Sequence, residues 1–173
     1  WESDKSEIAA YEPDKFLKID MMPPAVERNA DGDVGAAVMW ASPVKSFKQL
    51  GGVPSPPEAL RGAWTRQIIK AKMIDNLIAN IDPNLGNWLV DPAWNIILID
   101  HSRSFTDTQD MTHEMTNIDA ALWDRMKALD HQQLTTVLGS WLSADEIASV
   151  LRRRDKMQTI VDRLLKKRDP ALA

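Results

Sequence analysis

The chain has 173 residues and a formal net charge of −4, with 44% apolar and 27% charged residues. This length favours one domain with its own hydrophobic core, and the composition is typical of a soluble globular protein. The acidic balance predicts no nucleic-acid partner, and no apolar run approaches the ~20 residues of a membrane-spanning helix. The lack of cysteine excludes disulfides, thiolate metal sites and cysteine nucleophiles. A cytoplasmic location is favoured.

The N-terminal segment predicts a helix followed by two strands. Apolar residues between Ser3 and Leu17 lie close to one helical face, and Pro13 within this segment predicts a kink or two shorter helices. Strands are predicted over 25–28 and 34–41, because a turn centred on glycine joins two segments of strand-forming residues.

The middle of the chain predicts a long helix and a hairpin. Residues 42–50 are expected to be short helix or irregular chain, before a loop rich in glycine and proline. Apolar residues then recur at three- and four-residue steps over 58–79, which predicts the strongest helix of the chain. Short apolar runs at 88–90 and 96–99 flank a turn and predict a β-hairpin.

The chain from residue 118 onward is predicted to be helical, with breaks near Gly139 and at Ser143. Ser143 followed by Glu146 matches a capping box, in which each residue satisfies the other's free backbone N–H. The basic residues of 151–168 are expected on the solvated face of the last helices. Six tryptophans are expected in the core: Trp40, Trp64, Trp88, Trp94, Trp123 and Trp141. The predicted fold class is therefore α+β and predominantly helical.

Three oxygen-bearing side chains are predicted to converge at the open end of the hairpin. A hairpin returns the chain to its starting point, so Asn87 and Asp100 should flank the same end. Asp82 lies five residues before Asn87 on a short loop. Carboxylate and amide oxygens are ligands that Mg²⁺ or Mn²⁺ prefers, and one carboxylate remains to accept a proton. This inventory is what phosphoryl transfer requires.

The spacing of these residues resembles that of the protein-kinase-like superfamily. The chain has Asp82-x-x-x-x-Asn87, and Asp100 follows thirteen residues later, across a hairpin. Residues 80–87 (NIDPNLGN) and 98–105 (LIDHSRSF) look like variants of the motifs of the atypical branch. That branch includes phosphatidylinositol kinases, HipA-type kinases and secretory-pathway kinases.

The resemblance implies roles for six residues. Asp82 would be the catalytic carboxylate, and Asn87 and Asp100 would bind the metal ion. Glu7 would be the helix glutamate that pairs with the phosphate-binding lysine. The strand over 34–41 would enter the interlobe hinge and place Trp40 and Ala41 beside the adenine of ATP. The acceptor substrate stays open.

The resemblance also implies two regions: 1–50 as a partial upper lobe and 51–173 as a kinase-like helical lower lobe. The chain departs from the family pattern at Pro83, where the atypical kinases usually have arginine, and at His101-Ser102. No glycine-rich loop and no strand lysine precede Glu7. Because the sequence starts at Trp1, we expect a fragment that binds nucleotide weakly at best and has negligible activity of its own.

Simpler interpretations stay open for each residue. Asp82 before a proline can be only a turn residue, and Glu7 can be an exposed helix position. Asp75 could either support the catalytic loop or be solvated. Arg103 could contact phosphate or form a surface salt bridge, and His101 could touch phosphate. The alternative functions are a catalytically inactive pseudokinase or scaffold, and a helical interaction module in which Asp82, Asn87 and Asp100 do not converge.

Overall fold

A computed structural model describes residues 2–168, which form a mixed α+β fold with five α-helices and two small antiparallel sheets. The helices are α1 (Asp4–Phe16), α2 (Arg61–Ile78), α3 (Ala120–Lys127), α4 (His131–Leu138) and α5 (Ala144–Arg168), with one 3₁₀ turn at Glu58–Leu60. The strands are β1 (Ala25–Ala30), β2 (Asp33–Val38), β3 (Lys45–Ser46), β4 (Trp88–Val90) and β5 (Ile96–Leu98). The predicted class, α+β with more helix than strand, is confirmed for these residues.

Helix α1 is a single element that begins at a serine cap. The Ser3 hydroxyl accepts a hydrogen bond from the Ser6 N–H at 3.3 Å, which satisfies one of the free donors of the first turn. The predicted division into two helices is not seen, because Pro13 lies in the last turn and α1 ends three residues later at Phe16. Pro13 has no N–H to donate to the carbonyl four residues earlier, so α1 lacks one bond near its end but continues to Phe16.

Strands β1 and β2 form an exposed hairpin. Their antiparallel register runs from Ala25 opposite Val38 to Ala30 opposite Asp33, and Gly32 at the turn has φ of +96°. In β1 only Ala25 is buried, and β2 has no buried residue. The predicted second strand is shorter than expected, because residues 39–41 continue without a strand partner.

The second sheet holds the predicted hairpin and one strand that was not predicted. Strands β4 and β5 pair from Trp88 opposite Leu98 to Val90 opposite Ile96. Strand β3 pairs with β4 through Lys45 and Ser46, within the stretch expected to be helical or irregular. A two-residue strand carries no detectable alternation, so its pairing depends on tertiary contacts.

Helix α2 supports this hairpin through an aromatic cluster and one glutamine. The ring of Phe47 lies 5.6 Å from that of Trp64 and 5.8 Å from that of Trp88, and Trp94 meets Trp64 edge-on at 5.5 Å. Gln67 donates to the Trp94 carbonyl at 2.9 Å and accepts from the Ile96 N–H at 2.7 Å. The hairpin is therefore held to α2 through Trp94 and the start of β5.

The C-terminal helices begin at side-chain caps. The capping box is confirmed: the Ser143 N–H donates to Glu146 Oε2 at 2.7 Å, and the Glu146 N–H donates to Ser143 Oγ at 3.3 Å. Asp119 caps α3, and Asp130 caps α4. The break between α3 and α4 was not predicted, although Asp130 is a favoured N-cap residue.

One hydrophobic core joins α1, α2, the second sheet and α3–α5, and includes Trp64, Trp88 and Trp123. Trp94 and Trp141 pack against it partly buried. The prediction that Trp40 is a core residue is wrong, because 83% of its surface is exposed. Among residues 2–168, no helix is long and apolar enough to cross a membrane.

Arg153 on α5 is fully buried, so the prediction that the basic residues of 151–168 lie on a solvated face is wrong at this position. Its guanidinium donates to the carbonyls of Leu77 at 2.9 Å, Thr106 at 2.7 Å and Thr108 at 3.2 Å. Burial lowers the pKa of Arg153 to about 10, and the side chain stays charged at neutral pH. The arginine thereby connects α5 to the end of α2 and to the loop after Phe105.

We expect Arg153→Met to lower the free energy of unfolding by at least about 2 kcal/mol. Methionine fills a similar volume but leaves one buried and two partly buried carbonyls without this donor. Urea unfolding measures the change. Arg163→Met on the exposed face of the same helix is the matched control and should stay within about 0.5 kcal/mol of the wild type. Equal effects of the two substitutions would contradict the structural role of Arg153.

Asp14 gives a pH-dependent prediction. The carboxyl is 2% exposed and accepts hydrogen bonds from the N–H groups of Met21 at 2.9 Å and Met22 at 3.2 Å. Burial raises its pKa above the ordinary 3.8 despite these bonds. The folded state therefore holds this proton to higher pH than the unfolded state.

The stability contributed by this proton is present below pH 3.8 and is lost as pH rises through the raised pKa of the folded protein. Between pH 3.8 and the raised pKa, the unfolding free energy of the wild type should fall relative to that of Asp14→Asn. Above the raised pKa, the difference in unfolding free energy between the two proteins should stay constant. Urea titrations of both proteins at several pH values measure this. A wild type that gains unfolding free energy relative to Asp14→Asn as pH rises would contradict the direction of the pKa shift.

Candidate functional site

The loop after α2 holds Asp82 through a chain of hydrogen bonds. The Gly86 N–H donates to Asn84 Oδ1 at 2.7 Å, and Asn84 Nδ2 donates to Asp82 Oδ1 at 2.9 Å. Asn87 Nδ2 lies 3.4 Å from the Asp82 carbonyl oxygen, to which it donates. The Asp82 carboxylate is thereby oriented through Oδ1.

Asp75 is hydrogen-bonded to this loop through Asn80, which agrees with the interpretation of Asp75 as a loop-supporting residue and not with that of a solvated one. Its carboxylate is 1% exposed, accepts from Asn80 Nδ2 at 3.1 Å and lies 2.8 Å from His113 Nε2. Asn80 Oδ1 in turn accepts from the Asp82 N–H at 3.1 Å. A continuous polar path therefore runs from the buried end of α2 to Asp82.

The hairpin brings Asn87 and Asp100 to the same end, as the sequence predicts. The Ile99 N–H donates to the Asn87 carbonyl at 3.0 Å, just beyond the last pair of the β4–β5 ladder. Asp100 then turns away with φ of +58°, a left-handed conformation that aspartate tolerates better than most residues. Its Oδ1 accepts from the Ser102 hydroxyl at 2.7 Å.

Glu7 of α1 reaches the segment around Asp100. Its Oε2 accepts from the His101 N–H at 2.5 Å, and Oε1 lies 4.0 Å from His101 Nδ1. Burial raises the pKa of the Glu7 carboxyl, the His101 ring and N–H oppose this rise, and the charge of Asp100 adds to it while the Asp100 backbone opposes it. The Ser3 N–H also donates to the Ser102 carbonyl at 2.8 Å, so α1 is fixed to this segment at two points.

A cavity of about 280 Å³ lies between these elements. Its polar wall contains Glu7 and Asp100, and Leu89 and Ile99 supply apolar surface from the hairpin. The segment from Val38 to Ala41 lines the remaining side and includes the exposed Trp40. Four of the six residues proposed from the sequence therefore line one cavity: Glu7, Trp40, Ala41 and Asp100.

Several expected contacts are not found. Asp82 and Asn87 lie on the neighbouring loop and are not part of the cavity lining. Within residues 2–168, the Glu7 carboxylate pairs with His101 and with no lysine. His101 is 2% exposed, which is unfavourable for the predicted contact with phosphate. Arg103 forms a surface salt bridge and not the predicted alternative, a contact with phosphate: its Nη2 lies 3.2 Å from Glu2 Oε1.

The oxygen donors around the hairpin base suit a hard divalent cation. Among residues 2–168, no three His, Asp or Glu side chains are grouped closely enough to hold a metal ion by themselves. Asp100 Oδ2 and Asn87 Oδ1 accept no hydrogen bond from the described residues, which leaves one carboxylate and one amide oxygen as donors. Mg²⁺ is commonly held by one or two protein oxygens, with water and phosphate completing the shell.

Sequence reasoning missed the supporting roles of Asn80, Asn84 and His113. Asn80 and Asn84 belong to the motif segment 80–87, so their position was a usable signal. His113 lies 38 positions from Asp75, and nothing in the linear pattern connects the two. Leu89 and Ile99 were predicted as strand residues, but the alternation did not show that they face a cavity.

Comparison with models of known protein families and with curated proteins finds no match to this chain.

We expect Gly86→Ala to disturb the orientation of Asp82. A Cβ at this position would lie 2.7 Å from Asn84 Oδ1, so the Asn84 amide must shift, which disturbs its hydrogen bonds with the Gly86 N–H and with Asp82. Loss of these hydrogen bonds should lower the unfolding free energy by about 1–2 kcal/mol. NMR should show displaced side-chain amide signals of Asn84 and Asn87.

Gly62→Ala in α2 is the control. A Cβ there meets no atom within 4 Å, and alanine is favoured in helices by up to about 1 kcal/mol. It should leave the loop signals unchanged and raise the stability slightly. Unmoved Asn84 signals in Gly86→Ala would argue against the described loop geometry.

Proposed function

We propose that this chain carries the nucleotide- and metal-binding part of a kinase-like phosphotransferase, with a helical lower lobe at 51–173 and part of an upper lobe at 1–50. The observation that supports this most directly is the cavity lined by Glu7, Trp40, Ala41 and Asp100, which come from three separate segments. Asp100 also belongs to the motif that Asp82 and Asn87 complete on the neighbouring loop.

The cavity suits a nucleotide base at one end and phosphate at the other. Trp40 and Ala41 offer an aromatic face and backbone groups beside apolar Leu89 and Ile99. Asp100 lies at the polar end, next to Asn87 through the Ile99 bond. Adenine is therefore assigned to the Trp40 side, and the polyphosphate of ATP to the hairpin base.

The chain's own residues would perform three tasks in phosphoryl transfer. Asn87 and Asp100 would hold Mg²⁺ or Mn²⁺, which when bound neutralises phosphate charge. Asp82, oriented by Asn84, would accept the proton of the acceptor hydroxyl. The hydroxyl oxygen forms a bond to the γ-phosphorus, the bond from that phosphorus to the β–γ bridging oxygen breaks, and ADP leaves. The acceptor is unassigned.

A second candidate is a pseudokinase or scaffold that binds nucleotide without transferring phosphate. The observation that favours it is the position of Asp82 outside the cavity lining, with Pro83 following it. Metal-dependent release of ADP from ATP by the protein would favour the phosphotransferase, since a scaffold binds ATP and leaves it intact.

We expect ATP with Mg²⁺ or Mn²⁺ to raise the thermal midpoint of the wild type, and Asp100→Ala to abolish this rise. A ligand at 100 times its dissociation constant stabilises the native state by about 2.7 kcal/mol, so millimolar ATP reveals even weak binding. Removing the carboxylate removes the predicted metal ligand.

Asp124→Ala is the control, because Asp124 is exposed on α3 and its ion pair with Lys127 lies on the surface. This variant should keep the full response to ATP. A wild type that shows no shift with either metal, or an Asp100→Ala variant with an unchanged shift, counts against the proposed site.

A further inference from the structure

Lys48 lies directly against the loop that carries Asp82. Its backbone N–H donates to the Leu85 carbonyl at 3.0 Å, and the preceding Phe47 N–H donates to the Trp88 carbonyl at 2.9 Å. Phe47 is fully buried. The backbone at Phe47 and Lys48 is therefore hydrogen-bonded to both ends of the 85–88 segment, while Lys48 itself is exposed.

The stem of Lys48 passes beside Gly86. Its Cδ lies 3.9 Å from the point that a Cβ on Gly86 would occupy, and Asn84 Oδ1 lies 2.7 Å from the same point. Asn84 is the residue whose amide orients Asp82. Lys48 therefore lies beside the part of the loop that holds Gly86 and Asn84, whose hydrogen bonds orient Asp82.

Lys48 is a basic residue next to the Asp82 loop that forms no salt bridge with the described residues. Glu7, Asp82 and Asp100 are acidic groups in or next to the cavity. Arg103 also touches the loop, where its carbonyl accepts from the Ile81 N–H at 3.3 Å, but its guanidinium pairs with Glu2. Within residues 2–168, the salt bridges involve other basic side chains and not Lys48.

We propose that Lys48 binds the polyphosphate of a nucleotide seated in the cavity, an inference that rests on the proposed function. A triphosphate brings about four negative charges to a site with three acidic side chains, so it requires cations besides one metal ion. Lysine binds phosphate as a point charge on a flexible stem, which suits a residue anchored at its backbone and free at its tip. The ligand class is a nucleotide with at least two phosphates.

The test compares ATP with adenosine in the presence of Mg²⁺, using NMR titrations that follow the Trp40 indole N–H. Lys48→Ala and Lys48→Gln should weaken ATP binding about tenfold, the value expected for loss of one charged hydrogen bond. Adenosine has no phosphate, so both variants should bind it as the wild type does. Lys48→Arg should retain most of the ATP affinity, and Lys166→Ala on the exposed end of α5 is the matched control.

The outcomes separate the proposed nucleotide site from the role of Lys48. If the wild type binds neither ATP nor adenosine, the proposed nucleotide site is wrong, and the role of Lys48 is overturned with it. If the wild type binds ATP and both neutral variants bind it equally well, only the role of Lys48 is overturned. Equal weakening of ATP and adenosine binding would also overturn it, because the substitution would then act on the base and not on phosphate.

Discussion

The C-terminal end of α2 is the constraint on which the candidate site depends. The last carbonyls of a helix have no partner within the helix, and buried carbonyls require one. Here the Leu77 carbonyl accepts from Arg153, the Ile78 carbonyl from the Phe105 N–H at 2.5 Å, and the Ala79 carbonyl from the Thr106 hydroxyl at 3.4 Å. The segment after Asp100 is thereby fastened to the helix that leads into the Asp82 loop.

The same principle accounts for how α1 completes the site. Glu7 accepts the His101 N–H beside Asp100, and at the other end of the helix Asp14 accepts two N–H groups of the chain leading to β1. The Leu98 N–H donates to the Met21 carbonyl at 2.8 Å, which joins this chain to β5. Carboxylates of α1 thus accept hydrogen bonds from backbone N–H groups outside the sheets, and Glu7 also lines the cavity.

Hydrophobic periodicity predicted the elements that are long or regular. Residue type and local charge gave wrong predictions of burial at positions where tertiary packing determines it. Helix α2 and the β4–β5 hairpin were predicted because their apolar residues recur at helical and strand spacing. The grouping of Asn87 with Asp100 follows from hairpin geometry alone. Arg153 was misassigned because it stands within a run of arginines, and only the packing of α5 shows which of them faces inward. Trp40 was misassigned as core because tryptophan usually packs inside, whereas here it lines an open cavity.

The position of Arg153 in the chain has a consequence for biosynthesis. Its guanidinium contacts carbonyls 76, 47 and 45 positions earlier, and these are long-range contacts. A ribosome releases the chain from the N-terminus, so the loop with Asp82 and the segment with Asp100 emerge well before Arg153. The carbonyls that Arg153 binds lie at the end of α2 and just after Phe105. Contacts of such high sequence separation form late because loop closure precedes any gain from them. The nascent polypeptide therefore has to expose the region of the proposed nucleotide site, without the hydrogen bonds of Arg153, until α5 has left the exit tunnel.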